Sequence, residues 1–128
     1  MLERDKRKLD GFIQTFKNRF NRYQNYYKVL GVDPDNVTDL EVKDAYDTLC
    51  YQLNKMIDKT EEAEINKIVR KYGDEFQARE VREYIHEAFE ELRGSCIEKF
   101  EDAYIALRSE HSRNNYKKLL EDMERKER

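Results

Sequence analysis

The sequence predicts an all-α fold, and three observations carry that prediction. Charged residues make up 41% of the 128 positions and hydrophobic ones 38%, with a single proline and four glycines. A chain rich in Glu, Lys, Arg and Leu with so few breakers favours helix along its whole length. Apolar residues recur at steps of three and four, the spacing of one helical face. Several of those runs open on a Ser, Thr or Asp with Glu or Gln three residues later, the pattern that caps a helix N-terminus. Nine Tyr and six Phe are more aromatic surface than a disordered, solvating chain carries. The length suits a single domain with one core.

Taken in order, the first helix is expected over residues 3–24. Leu9, Phe12, Ile13, Phe16, Phe20 and Tyr23 line one of its faces, and Gly11 weakens it by about 1 kcal/mol relative to Ala. Residues 32–37 form a loop, because Pro34 disfavours helix at Asp33 and Asp and Asn favour turns. Thr38 with Glu41 then caps a helix carrying Leu40, Val42, Ala45, Tyr46, Leu49, Cys50, Leu53, Met56 and Ile57. That stripe is wide enough to be covered on more than one side. A break or kink is expected near residues 58–60, where Thr60 precedes Glu61, Glu62 and Glu64; a single helix over 39–72 is the alternative. Gly73 ends this stretch and Asp74 with Gln77 starts the next. Val81, Tyr84, Ile85, Ala88, Phe89 and Leu92 make that helix amphipathic. Gly94 closes it, and Ser95 with Glu98 caps a further helix through Phe100, Ala103, Tyr104 and Leu107. After Ser109 a last helix contains Tyr116, Leu119, Leu120 and Met123 and ends in a charged, frayed tail. The count expected is six or seven helices.

Composition narrows the function. The net charge is −3, so the chain as a whole is not built to hold nucleic acid. It contains no apolar run of about 18 residues, the length that a membrane span requires. Its first residues lack the apolar stretch of a secretory signal. Cys50 and Cys96 have neither CxxC spacing nor a nearby His, which predicts two buried free thiols, with a disulfide or a metal site as the alternatives. A cytoplasmic location is therefore expected.

Four pieces occur in an order that resembles the J-domain (DnaJ-like) co-chaperone family. They are Tyr26-Tyr27 with Leu30-Gly31-Val32, the capped helix with Ala45-Tyr46 and Leu49, the segment Ala103-Tyr104 with Leu107, and Arg113 with Tyr116. The match covers roughly residues 25–56 and 97–116. The resemblance implies an antiparallel hairpin of the family's second and third helices, crossed by its short first helix, here residues 25–30 closed by Gly31. Leu30, Ala45, Leu49, Leu53, Phe100, Ala103, Tyr104 and Leu107 would then be core. The domain plan implied is a basic amphipathic helix over 1–24 and a J-like domain over 25–128, with an insertion at about 57–96.

The departures from the family bear on function. The His-Pro-Asp tripeptide that engages the partner ATPase falls on Asn54, Lys55 and Met56. Between Asp39 and Met56 four acids (Asp39, Glu41, Asp44 and Asp47) outnumber two bases, Lys43 and Lys55. The family presents a basic face there to an acidic partner, so this charge opposes docking. Met56 and Phe100 are separated by 43 residues where the family needs a short loop. The surplus is expected to be an inserted helical pair, over 61–72 and 74–93, that either stiffens the hairpin or forms a new docking surface.

Other chemistry is sparse. His86 and His111 are the only histidines. His86 could share a helix face with Glu83, Glu87 and Glu90, but on a surface so rich in Glu a solvated face explains this. There is no Gly-rich phosphate loop, nucleophile elbow or zinc spacing. No catalytic residue, cofactor or metal centre is predicted, and the chain is not expected to be an enzyme. The N-terminal arm is different in kind, with eight Lys or Arg against three Asp or Glu from Met1 to Lys28. Lys8, Phe12, Phe16, Arg19, Phe20, Arg22 and Tyr23 form a candidate partner-binding arm, for a protein groove, an anionic membrane or nucleic-acid phosphates. The alternative is that its aromatic face packs on the protein's own helices. The reading favoured by the sequence is a non-catalytic J-like interaction module with protein partners, an adaptor, regulator or structural subunit. An active co-chaperone with an unorthodox ATPase contact is the alternative, as is a membrane or nucleic-acid binder acting through the arm.

Overall fold

A computed structural model describes residues 3–20, 25–71 and 75–127, without the side chains of residues 19, 20 and 75–77. Among these residues all regular structure is helical: α1 (Glu3–Phe20), α2 (Tyr26–Leu30), α3 (Asp39–Val69), α4 (Glu75–Leu107) and α5 (Glu110–Glu127). The expected stops at Gly73 and Asp74 lie outside the described residues. Two other expected stops are absent. α3 passes through residues 58–60 without a break, so Thr60 caps nothing and Glu61 is interior. α4 likewise runs through Gly94, Ser95 and Glu98. Residues 57–69 thus continue α3 and residues 75–99 belong to α4, without the helix breaks expected at 58–60 and 94–95. The physical reason is packing. Ile57 on one helix, and Leu92 and Cys96 on either side of Gly94 on the other, are at most 3% exposed. Burial of these neighbours outweighs the roughly 1 kcal/mol that a helical glycine costs.

The described chain divides into two units, Met1–Arg22 with Tyr51–Ile97, and Tyr23–Cys50 with Glu98–Arg128. In the first unit α3 and α4 run antiparallel. Asn54 meets Arg93 and Glu61 meets His86, so seven residues forward on α3 correspond to seven residues back on α4. Leu53, Ile57, Val81, Ile85, Phe89 and Leu92 are buried here. α1 lies along the pair: Leu9 and Phe16 are buried, and the Phe12 ring sits 6.1 Å from that of Phe89. Lys6 Nζ lies 5.2 Å from the centre of the Tyr84 ring. Asp5, at 3% exposure, accepts a hydrogen bond from Lys71 Nζ at 3.0 Å, which compensates the cost of burying its charge.

In the second unit the short α2 is fixed at both ends. The Asn25 side chain accepts the Tyr27 N–H at 2.9 Å, and Gly31 takes the left-handed conformation at φ 71° that glycine adopts without penalty. Asp33 Oδ1 accepts the Asp35 N–H at 2.9 Å across Pro34, shaping the loop. Thr38 caps α3 as expected, accepting the Glu41 N–H at 3.2 Å. The Thr38 hydroxyl also donates to the Glu41 carboxylate at 3.3 Å. Tyr27, Leu30, Val42, Ala103, Leu107 and Tyr116 form one buried cluster. Tyr46 stacks on Tyr104 at 4.8 Å, bringing the start of α3 alongside the end of α4. Of the expected core, Leu30, Leu53, Phe100, Ala103 and Leu107 are buried, while Ala45, Leu49 and Tyr104 are half-buried.

α5 is tied back by two of its side chains. Arg113 Nη1 donates to the Leu107 carbonyl at 2.9 Å and to Asp39 Oδ1 at 2.7 Å. The Tyr116 hydroxyl accepts the Tyr26 N–H at 3.0 Å, satisfying an orphan donor at the start of α2.

Two outcomes follow. Tyr116→Phe removes that acceptor and lowers stability by about 1 kcal/mol; Gly94→Ala raises it by about 0.5–1 kcal/mol, since an added Cβ there meets nothing within 4 Å. Urea denaturation followed by circular dichroism reads both, and a Gly94→Ala variant that is no more stable would contradict the helical role assigned to this position.

Candidate functional site

Asn54, Lys55 and Met56 lie in the middle of α3. Asn54 Oδ1 accepts from Arg93 Nη1 at 2.6 Å, and Arg93 Nη2 donates to Asp58 Oδ1 at 2.5 Å. Lys55 points to solvent and Met56 is half-buried. The three residues that the J-domain resemblance assigns to the tripeptide are therefore helical, with the first of them held by an arginine from α4. Asp39, Glu41, Asp44 and Asp47 are all exposed. Only Asp39 among them is paired with a cation, Arg113, among the described ion pairs.

The N-terminal arm is divided in its use. Lys8 is exposed and Phe12 is 40% exposed, but Phe16 is buried. The Phe12 and Phe16 rings lie 6.3 Å apart, and Phe12 also meets Phe89. The side chains of Arg19 and Phe20, and all of Arg22 and Tyr23, lie outside the described residues. The described part of the arm's aromatic face thus packs on the protein's own α4, while the basic residue Lys8 stays in water.

A polar cluster that sequence reasoning missed lies in the first unit. Glu61, 8% exposed, lies 2.6 Å through Oε1 from His86 Nδ1. Glu90 stands one turn beyond His86 on α4, and one ligand atom from each of the three residues lies within 4.8 Å of the others. Arg93 Nε is 3.2 Å from Glu90 Oε1, an ion pair whose angle falls short of a hydrogen bond. The spacing of His86 and Glu90 was visible in the sequence. Glu61 was not, because it stood as a helix-starting acid and nothing local indicates that it faces α4.

Neither thiol is poised for chemistry. Burial pushes the Cys96 thiol up to about 11, and burial also raises that of Cys50, partly offset by a hydrogen bond with Tyr46. Both are free, and a raised pKa leaves little thiolate at neutral pH. The Tyr46 hydroxyl is itself pushed up to about 12, chiefly by burial.

The hydrogen bond that Glu61 accepts holds the His86 imidazole above its ordinary 6.5, with the charge of Glu61 adding to the effect. The folded pKa exceeds the unfolded one, so this contribution to stability is full below the unfolded pKa and is lost as pH rises through the folded value. An NMR titration of the His86 ring is expected to show a midpoint above 6.5 that falls on Glu61→Gln; a midpoint unmoved by that change would break the assignment.

No helix among the described residues is long and apolar enough to cross a membrane. Compared with family models, curated proteins and solved structures, the chain matches none.

Proposed function

We propose that this chain is a non-catalytic, J-like protein-interaction module, an adaptor, regulator or structural subunit that does not stimulate a seventy-kilodalton heat-shock ATPase. The observation that carries the reading is the state of Asn54, Lys55 and Met56. A co-chaperone needs a flexible, exposed tripeptide there, whereas these residues sit inside an unbroken helix with Asn54 clamped by Arg93. The exposed acids Glu41, Asp44 and Asp47 give the same helix the wrong sign for an acidic partner. In support of a J-like skeleton, α2 packs against antiparallel stretches of α3 and α4 in the second unit, through Tyr27, Leu30, Val42, Ala103 and Leu107. Burial of Phe16 within the first unit favours the body of the protein over the basic arm as the interacting part, and with it a protein partner over a membrane or nucleic acid.

Single-turnover ATP hydrolysis by purified heat-shock chaperones is expected to be unchanged when the protein is added, and a clear, saturable acceleration would reject the reading. Its interaction half is tested by cross-linking and capture from the native cell, then reconstitution with the purified partner. A complex that forms with the isolated partner supports the module role, and failure of every captured protein to rebind removes it.

A further inference from the structure

We propose that Glu61, His86 and Glu90 form a binding site for a divalent transition-metal ion of the zinc class, linking α3 to α4 within the first unit. This goes beyond the J-like reading and is independent of it.

The geometry comes first. Each residue offers one ligand atom, and the three atoms lie within 4.8 Å of one another. An ion with bonds of about 2.0–2.2 Å holds its donors roughly 3–4 Å apart. Glu61 and His86, now 2.6 Å apart, need to open by well under a side-chain rotation, and Glu90 needs to close by a similar amount. His86 and Glu90 are four residues apart on α4, the spacing that places two side chains on one face. Glu61 supplies the third donor from the facing helix, so ligands converge from two backbones.

The environment favours a cation. The Glu61 side chain is 11% exposed, and a largely buried carboxylate is costly unless a positive charge or donor faces it. Its surroundings hold it in place, which lowers the ordering cost of binding. The side chains of His86 and Glu90 are 60% and 45% exposed, which leaves an approach from solvent and positions for water in the coordination sphere. One imidazole nitrogen with two carboxylates is a borderline-hard donor set. It suits zinc, cobalt, nickel or manganese better than copper(I), which wants sulfur, or calcium, which wants more oxygens. Arg93 is the opposing element, since its Nε holds Glu90. Its other two nitrogens are tied to Asn54 and Asp58, which fixes the guanidinium in place.

The test is calorimetric titration of the full chain with zinc chloride in a non-chelating buffer, alongside His86→Gln and Glu61→Gln. Because His86 is largely exposed, His86→Gln is expected to fold normally by circular dichroism. Expected are a single site per chain, affinity weakened about tenfold or more in each variant, and a zinc-induced rise in melting temperature seen with the parent and lost with His86→Gln. Zinc affinity unchanged in a folded His86→Gln variant would assign the metal to Cys50, Cys96 or His111 and overturn the proposal. Absence of binding to the parent would do the same.

Discussion

Uninterrupted helicity of α3 and α4 is the constraint on which the rest of this molecule depends. Helices of 31 and 33 residues are not held by propensity alone; they persist where an apolar stripe is covered along their length. In the first unit the cover is mutual, from Leu53 and Ile57 on α3 and Ile85, Phe89 and Leu92 on α4, with α1 adding Leu9 and Phe16. In the second it comes from α2 and α5, whose Tyr27, Leu30 and Tyr116 close over Val42, Ala103 and Leu107. Short polar ties finish each unit where apolar contact cannot, as Lys71 does for Asp5 and Arg113 for the carbonyl end of α4.

Because those helices do not stop, the chemistry open to the chain changes. A loop between them after Met56 would have freed Asn54, Lys55 and Met56 to meet a partner. Within α3 the same residues have fixed spacing and a fixed direction, and Arg93 occupies the one polar group that faces α4. The outside of the first turns of α3 carries the exposed acids Asp39, Glu41, Asp44 and Asp47, with Lys43 as the exposed base among them.

The polar seam of Asn54, Asp58, Glu61, His86, Glu90 and Arg93 has a role beyond any ligand. Apolar stripes tolerate sliding by a turn at modest cost, whereas a buried carboxylate does not. Moving α4 one turn along α3 would part Glu61 from His86 and Asn54 from Arg93 together. The seven-residue spacing shared by the two contacts therefore selects one register of the pair.

Much of this was legible in the chain. The all-α class, the loop around Pro34 and the Thr38 cap follow from signals contained within a few residues, while the short helix ended by Gly31 and the burial of Leu30, Leu53, Phe100, Ala103 and Leu107 were expected from the J-domain resemblance. The same local signals misled at Thr60, Gly94 and Ser95, where capping patterns stand inside continuous helix. A cap is worth about 1 kcal/mol, and burial of the flanking Ile57, Leu92 and Cys96 side chains exceeds it. The partners of Glu61, Asn54 and Asp5 were beyond local reading, since each lies 25 or more residues away in sequence. Sequence by itself determined where helix is favourable and which faces are apolar, because those depend on neighbours three and four residues apart. Only the tertiary structure decided where α3 and α4 run on past local cap signals, which carboxylates are buried and what faces them, because these depend on which surfaces meet.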